Sequence, residues 1–281
     1  MKPPGLILAG LLLAAANHVL AAVDVNALWD FGRPELSEQR FRAALAGAQG
    51  DDALVLRTQI ARTLGLRGRF DEAHAELDAL RHALADAGPE PRVRAALERG
   101  RTLRSSGQPE PSRALFMQAW TLAEQAGLDE LAVDALHMVA LVAPTLEDKL
   151  LWNRRALDAA RASPARGAQA WQGSLLNNIA NDLRGAKRLA EALALFRDSR
   201  AAYERFGRAG GERIARWQIA NTLRLMGQGE EALAMQLALE REFDALGRPD
   251  GFVFDELAEL YATRGDAARA EHYREKRRAM K

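Results

Sequence analysis

Two groups of three side chains, forty residues apart, have the types and spacing of a binding surface. The groups are Asn177, Asn181, Arg184 and Trp217, Asn221, Arg224. The spacing i, i+4, i+7 places each group on one face of a helix. An asparagine amide donates and accepts hydrogen bonds as a peptide backbone does, and arginine and tryptophan are enriched at binding hot spots. The groups predict a surface for a peptide or protein. The alternative is that the arginines cap the carbonyls of their own helix ends.

No motif for catalysis or metal binding accompanies these groups. The sequence contains no phosphate loop, no nucleophile elbow and no zinc-type helix with paired histidines. His74 and His82 fall two turns apart on one predicted helix, too far apart to share a metal. His137 is interpreted as a buried, hydrogen-bonded residue, with a groove-lining role as the alternative. We therefore expect no catalytic residue, no metal and no cofactor.

Three acidic residues lie close together near the C-terminus. Asp255, Glu256 and Glu259 fall on one predicted helix. We interpret them as a solvated face, with contact to a cation or a basic ligand as the alternative.

The elements that position these residues form a repeat. Six predicted turns are spaced by 37 to 43 residues, a near-constant period that indicates a solenoid. The residue seven before the turn is small in five of six copies, as in Ala180 and Ala220. The residue five after the turn is small in five of six copies, as in Ala192 and Ala232. Small residues at fixed offsets allow two antiparallel helices to pack closely. The six turn residues are Gly68, Gly107, Pro144, Lys187, Gly227 and Gly265.

This pattern resembles the tetratricopeptide repeat family, whose unit is a helix, a turn and a helix. The residues that carry the resemblance best are Leu176, Ile179, Ala180, Leu183, Leu189, Ala192 and Phe196. The resemblance implies an all-α, right-handed superhelix of antiparallel helix hairpins. It also implies a general binding scaffold, with the first helix of each repeat on the concave face. The expected repeats are 53–86, 91–125, 129–162, 164–206, 212–246 and 252–279.

The resemblance extends the predicted groove to earlier repeats. The equivalent stripe includes Arg101 and Arg104 in the second repeat and Asp134 and Met138 in the third. These four residues and the two groups of three form the predicted partner-binding groove. Trp120, Trp152 and Trp171 fall on faces expected to pack between repeats, whereas Trp217 is expected to face the groove.

The N-terminal segment has the pattern of a secretory signal peptide. Lys2 precedes an apolar run from Gly5 to Ala16 and a small-residue site ending at Ala21 or Ala22. The sequence has no cysteine, so it excludes disulfides, thiol catalysis and a cysteine-linked lipid anchor. A periplasmic or secreted location is expected, without stable membrane insertion after cleavage. The formal net charge of +1 gives no argument for a nucleic-acid partner.

The predicted organisation has three parts. Residues 1–22 form the signal peptide, 23–52 a linker with an N-terminal capping helix, and 53–281 the repeat domain. The predicted function is that of a non-enzymatic, exported scaffold that binds a peptide or protein partner in its concave groove. The alternative is a protein that binds or senses a small ligand, such as a glycan fragment, with the same groove. The thermal response to each ligand class would distinguish the two.

Overall fold

The computed structural model describes residues 23–280, and every regular element in that range is a helix. The signal peptide predicted for residues 1–22 lies outside the described residues. The helices are α1 (Val25–Leu28), α2 (Pro34–Leu45), α3 (Gly50–Leu66), α4 (Phe70–Asp78), α5 (Arg81–Ala85), α6 (Pro89–Ser105), α7 (Pro109–Gln125), α8 (Asp129–Leu141), α9 (Leu146–Ala162), α10 (Arg166–Gln169), α11 (Gln172–Gly185), α12 (Leu189–Arg205), α13 (Ala209–Leu225), α14 (Gly229–Ala245), α15 (Gly251–Thr263) and α16 (Ala267–Arg278).

The predicted all-α solenoid is confirmed. Consecutive helices pack in pairs, α3 with α4, α6 with α7, α8 with α9, α11 with α12, α13 with α14 and α15 with α16. Each first helix also packs against the second helix of the preceding pair. Within the described range, no helix is both long enough and apolar enough to cross a membrane.

The turns between paired helices require a left-handed backbone. Gly68, Gly107, Gly227 and Gly265 have φ angles between 73° and 85°. Glycine adopts this conformation without a Cβ penalty, which explains its recurrence at the end of the first helix. In the fourth repeat Lys187 adopts φ 63° instead.

Small residues allow the paired helices to approach closely. Ala61, Ala180 and Ala220 are 0% exposed. A Cβ at Gly100 would lie 2.5 Å from a ring carbon of Phe116. These contacts explain why the repeat keeps a small residue seven positions before its turn.

The N-terminal segment is more ordered than a linker. It contains α1, whose Val25 is 6% exposed, and its Trp29 ring packs edge-on against Phe41 at 5.1 Å between centroids. Gly50 begins α3 rather than ending α2. The segment therefore packs on the first repeat and extends the core by one layer.

Two other details of the sequence interpretation need correction. His74 and His82 lie on different helices, α4 and α5, because the chain turns at Ala79 and Leu80. In the fourth repeat the predicted first helix is divided into α10 and α11.

The predicted core tryptophans are half-buried. Trp120, Trp152 and Trp171 pack against the core clusters of the middle repeats.

Candidate functional site

A cavity of about 800 Å³, which we call the inner cavity, lies among the helices of the array. Its walls come from α1, α3, α6, α8, α10, α11, α12 and α13, so five successive repeats contribute. Most of these helices are the first helices of their repeats. The inner cavity therefore lies on the face of the array that the first helices form.

One wall of the inner cavity is aromatic and comes from the N-terminal segment. The Trp29 and Phe31 rings are stacked, with centroids 4.5 Å apart. The Trp29 indole N–H donates to Gln59 Oε1 over 3.0 Å, which fixes the ring on α3. Phe31 remains 59% exposed. This wall offers a flat apolar surface to a ligand.

The opposite wall carries Trp171 and Tyr203. A Cβ at Gly173 or Gly211 would lie within 2.6 Å of a Tyr203 ring carbon, so both glycines make room for that ring. The Tyr203 hydroxyl donates to Ser174 Oγ over 3.2 Å. The Trp171 ring lies 5.6 Å from the ring of His137. Close backbone approach thus holds aromatic surface on both sides of the inner cavity.

Hydrogen-bonding capacity also remains on these walls. The Arg62 guanidinium lies 5.3 Å from the Trp29 centroid and 5.2 Å from the Phe31 centroid. Its buried Nε has no hydrogen-bond partner among the described residues. Desolvation, and then the nearby charge of Arg101, lower the pKa of Arg62. The exposed part of the guanidinium, whose Nη1 lies 3.6 Å from Glu98 Oε1, is the part that an anionic group in the inner cavity could reach.

Beneath the aromatic wall, charged side chains of the second and third repeats form a closed network. Arg101 Nη2 donates to Asp134 Oδ1 over 2.6 Å, and Arg101 Nη1 donates to Glu98 Oε1 over 2.5 Å. Burial opposes the Arg101 charge, but the carboxylates of Asp134 and Glu98 outweigh it and raise the pKa of Arg101. The pKa of Asp134 is lowered, because Arg101 and Arg62 outweigh its desolvation. The hydrogen bonds of Arg101 are thus made to Glu98 and Asp134 within the protein rather than to a ligand.

The Asn and Arg residues of the later repeats also bond to one another. Arg184 Nη2 donates to Asn181 Oδ1 over 2.7 Å, and Arg184 Nη1 donates to Asn221 Oδ1 over 2.8 Å. Asn181 Nδ2 donates to the Asn177 carbonyl over 2.9 Å. The buried Asn177 Oδ1 has no partner among the described residues. We call Asn177, Asn181, Arg184, Asn221, Arg224 and Glu256 the Asn–Arg network.

Glu256 closes this network from the next repeat. Arg224 Nε donates to Glu256 Oε2 and Arg224 Nη2 to Glu256 Oε1, each over 2.8 Å. Asn221 Nδ2 also donates to Glu256. Glu256 is only 3% exposed, so its assignment to a solvated acidic face is wrong, whereas Asp255 and Glu259 are exposed. Arg184 and Arg224 thus bond to side chains of neighbouring first helices rather than to their own helix ends.

Trp217 is half-buried at the outer margin of this network. Its indole N–H donates to the Phe252 carbonyl over 3.0 Å, and its ring packs against the core. The Phe252 ring, 6.2 Å away, is 66% exposed. The later repeats therefore also present a tryptophan beside an exposed phenylalanine, and neither residue lines the inner cavity.

Among the described residues, no group of three or more acidic or histidine side chains is arranged to hold a metal ion. His137 lies at the junction of the third and fourth repeats, where its Nδ1 is 3.3 Å from Asn178 Nδ2. Desolvation lowers the pKa of His137. The residue is half-buried and takes part in packing against Trp171.

Comparison with known proteins agrees with this geometry. Residues 173–205 match the model of a tetratricopeptide repeat family. The chain is a helical-repeat protein, and its fourth repeat matches the tetratricopeptide model. No curated protein matches its sequence.

Solved structures share this tetratricopeptide-type fold at low sequence identity. The apo form of RapI is 10% identical, with a TM-score of 0.69 over 90% of this chain and 72% of RapI. A STAND-type signal transduction ATPase with a tetratricopeptide repeat sensor, from Pyrococcus horikoshii, is 11% identical. Its TM-score is 0.68 over 89% of this chain, which spans 39% of that protein. NprR in complex with its cognate peptide NprX is 14% identical, with a TM-score of 0.55 over 90% of this chain and 74% of NprR.

The residues predicted to line one groove lie in several different environments in this array. Asp134 lines the inner cavity, and Asn177 lies one turn beyond Ser174, which also lines it. Met138 is 6% exposed and belongs to the core. Arg104 is exposed and has no ion pair among the described residues. The remaining predicted residues are Arg101 in its ion network and Asn181, Arg184, Trp217, Asn221 and Arg224 in or beside the Asn–Arg network.

Sequence reasoning missed the residues that contribute most to the aromatic walls. Trp29 and Phe31 fall before the repeats, and Tyr203 falls near the end of a second helix. A usable signal was the pair of large aromatics, Trp29 and Phe31, in the short segment before the capping helix α2. Such residues require a surface to pack against.

Proposed function

We propose that this chain is an exported, non-enzymatic scaffold that binds an extended peptide or protein segment on its concave face. The observation that carries the proposal is the inner cavity, which combines aromatic rings from the N-terminal segment and the fourth repeat with the Arg62 guanidinium beside the Trp29 and Phe31 rings. A concave site that combines aromatic walls with polar groups that orient the ligand is the usual form of a ligand site.

The chemistry of the walls favours a peptide with an apolar or aromatic side chain. That side chain would lie between the Phe31 and Tyr203 walls and exclude water from them. Arg62 would take a carboxylate of the ligand, since a guanidinium binds carboxylates through paired hydrogen bonds. Asn177 Oδ1, at the start of the Asn–Arg network, would accept a backbone N–H as the peptide leaves the inner cavity.

The shared fold supports this proposal at a coarse level. NprR has the same fold and was solved with its cognate peptide. Because the identity is 14%, the likeness supports a peptide-binding scaffold rather than any particular peptide.

Export is the second part of the proposal. It rests on the charge, the apolar run and the small-residue site of residues 1–22. Intact-mass measurement of the protein from a periplasmic fraction should show cleavage after Ala21 or Ala22. The full-length mass in a cytoplasmic fraction would contradict export.

Binding can be tested with a pool of fluorescein-labelled peptides that differ in one central residue. Peptides with a central Trp, Phe or Leu should bind, and the equivalent glycine peptide should not. Phe31→Ala should weaken binding by about tenfold or more, since hot-spot truncations cost about 2 kcal/mol. Phe252→Ala is the matched control, an equally exposed ring beside a tryptophan outside the inner cavity.

Equal loss in the two variants would remove the inner cavity from the mechanism. Thermal stabilisation by small glycans but not by peptides would favour the alternative function of a small-ligand sensor.

A further inference from the structure

Three arginines converge on a second cavity, on the side of α10 opposite the inner cavity. Gly167 and Ala170 line the inner cavity, whereas Arg166 and Gln169 line the second one. The second cavity has a volume of about 430 Å³. We call it the arginine cavity, and its lining residues are Arg161, Arg166, Gln169, Gln172, Arg205 and Phe206.

Neighbouring side chains hold two of the three guanidinium groups in place. The Arg205 guanidinium lies 4.6 Å from the centroid of the Phe206 ring, and that of Arg166 lies 5.8 Å from it. Arg205 Nη2 donates to Oε1 of the buried Gln172 over 2.7 Å. Gln169 Nε2 donates to the Ser163 carbonyl, which anchors α10 beside the cavity. The arginines are therefore directed toward a common space before any ligand binds.

The arginine cavity contains no counter-charge. None of its three arginines has a carboxylate oxygen within 4.0 Å among the described residues, and no acidic residue lines it. Two other arginines at or on α12 are paired, Arg188 with Glu191 at 2.6 Å and Arg200 with Glu212 at 2.9 Å. The three arginines therefore create a positive electrostatic potential at the arginine cavity that no adjacent carboxylate balances.

Helix dipoles explain only part of this arrangement. Arg161 and Arg205 lie in the last turns of α9 and α12, where the partial negative charge of the helix end favours a cation. Arg166 lies on α10, which has only four residues and therefore no appreciable dipole to favour a cation. A partner of opposite charge would account for all three.

We propose that the arginine cavity binds a phosphate-type oxyanion. A tetrahedral dianion presents several oxygens at once, which matches planar guanidinium groups approaching from different helices. The three arginines are exposed, and a ligand with more than one negative charge would relieve the repulsion among them more effectively than solvent and monovalent counter-ions do. The overall charge of the chain, close to zero, does not reveal this site, because it depends on local convergence.

This site is independent of the proposed peptide site, since the two cavities share no lining residue. Isothermal titration of the protein with inorganic phosphate, and then with pyrophosphate, at constant ionic strength in chloride buffer, tests it directly. Binding should saturate at one site per chain. Arg166→Gln and Arg205→Gln should each weaken it by about tenfold, as expected for a charged hydrogen-bonding partner.

Arg241→Gln is the matched control, because Arg241 is an exposed arginine on α14 that does not line the arginine cavity. It should leave phosphate binding unchanged. Circular dichroism of each variant checks that the fold is intact.

Vesicles containing phosphatidic acid distinguish the source of the phosphate group. Co-sedimentation that Arg166→Gln abolishes would support the proposal with a lipid headgroup as the source. Phosphate binding without co-sedimentation would support it with a soluble ligand. Absence of phosphate and pyrophosphate binding, or equal binding by Arg166→Gln and Arg241→Gln, would overturn the proposal.

Discussion

The first helices carry two clusters of similar residue types with different roles: the inner cavity, mainly in the earlier half of the chain, and the Asn–Arg network in the later half. Around the inner cavity, Arg62 lies beside the stacked pair of Trp29 and Phe31, and its Nε remains unpartnered. In the Asn–Arg network, Arg224 lies in a bidentate pair with Glu256. The two arginines differ in how closely the next repeat holds them, because Arg62 Nη1 lies 3.6 Å from Glu98 Oε1, whereas Arg224 forms two hydrogen bonds of 2.8 Å with Glu256.

A second consequence concerns rigidity. The Asn–Arg network connects α11, α13 and α15 through side-chain hydrogen bonds, so it fixes the relative positions of three first helices. The wall of the inner cavity that carries Trp29 and Phe31 belongs to a segment before the repeats. We infer that the Asn–Arg network stiffens the later repeats, while the N-terminal segment and the fourth repeat together present the aromatic ligand surface.

The largest expected effect tests whether the Asn–Arg network stabilises the fold. Glu256→Ala should destabilise the protein by about 3 kcal/mol, because it strands Arg224 and Asn221 without their acceptor. This is the lower end of the range for a broken buried pair, since the Arg224 side chain is 24% exposed. Urea unfolding monitored by circular dichroism measures it. Glu259→Ala, one turn away and exposed, should be neutral, and equal losses in both variants would contradict an internal role for the network.

The next effect should be the same in both halves. Ala61→Leu, Ala180→Leu and Ala220→Leu should each cost about 2 kcal/mol, because each adds bulk at a helix contact with no exposed surface. Ala262→Leu is the exposed control on α15. Melting temperatures unchanged in all four would mean that the helix contacts are looser than described. A loss confined to one half would show that the halves do not share one packing register.

A smaller effect tests Asn177, which lies between the inner cavity and the rest of the Asn–Arg network. Asn177→Ala should weaken peptide binding by about 1 kcal/mol, the value of one neutral hydrogen bond, with little change in melting temperature. Asn177→Asp keeps an acceptor oxygen at the same place and should retain binding. If the Asn177→Ala and Asn177→Asp variants bind peptide equally well, the unpartnered Asn177 Oδ1 is not part of the site.

The smallest effect concerns pH and His137, which contacts both Trp171 and Asn178. Its pKa in the folded protein is lowered by desolvation, so the unfolded chain binds the proton more readily. Stability from this residue should therefore be present above about pH 6.5 and be lost as the pH falls below that value. The drop in melting temperature between pH 7.5 and pH 5.5 should be smaller for His137→Gln than for the unmodified protein. An equal drop in melting temperature in the two proteins would show that His137 does not cause the pH dependence.

The hairpin register was predictable because it depends on local features. A glycine at φ between 73° and 85° ends four of the first helices, and a buried alanine seven residues earlier, such as Ala61 or Ala220, permits close packing. The position of the Asn and Arg side chains on one face followed from helical periodicity. Their mutual bonding did not, because Glu256 reaches Arg224 from a helix 32 residues away.

The sequence by itself determined an all-helical array of hairpins, the sites of its turns and the residues at its closest contacts. Each of these follows from backbone sterics, helical period or side-chain volume within one repeat. Only the tertiary structure decided which surface is open. The inner cavity brings Phe31 and Tyr203 together from opposite ends of four repeats, and the arginine cavity collects Arg161, Arg166 and Arg205 from three helices. Such convergence depends on the curvature of the whole array, which accumulates from small rotations between repeats and leaves no local spacing in the sequence.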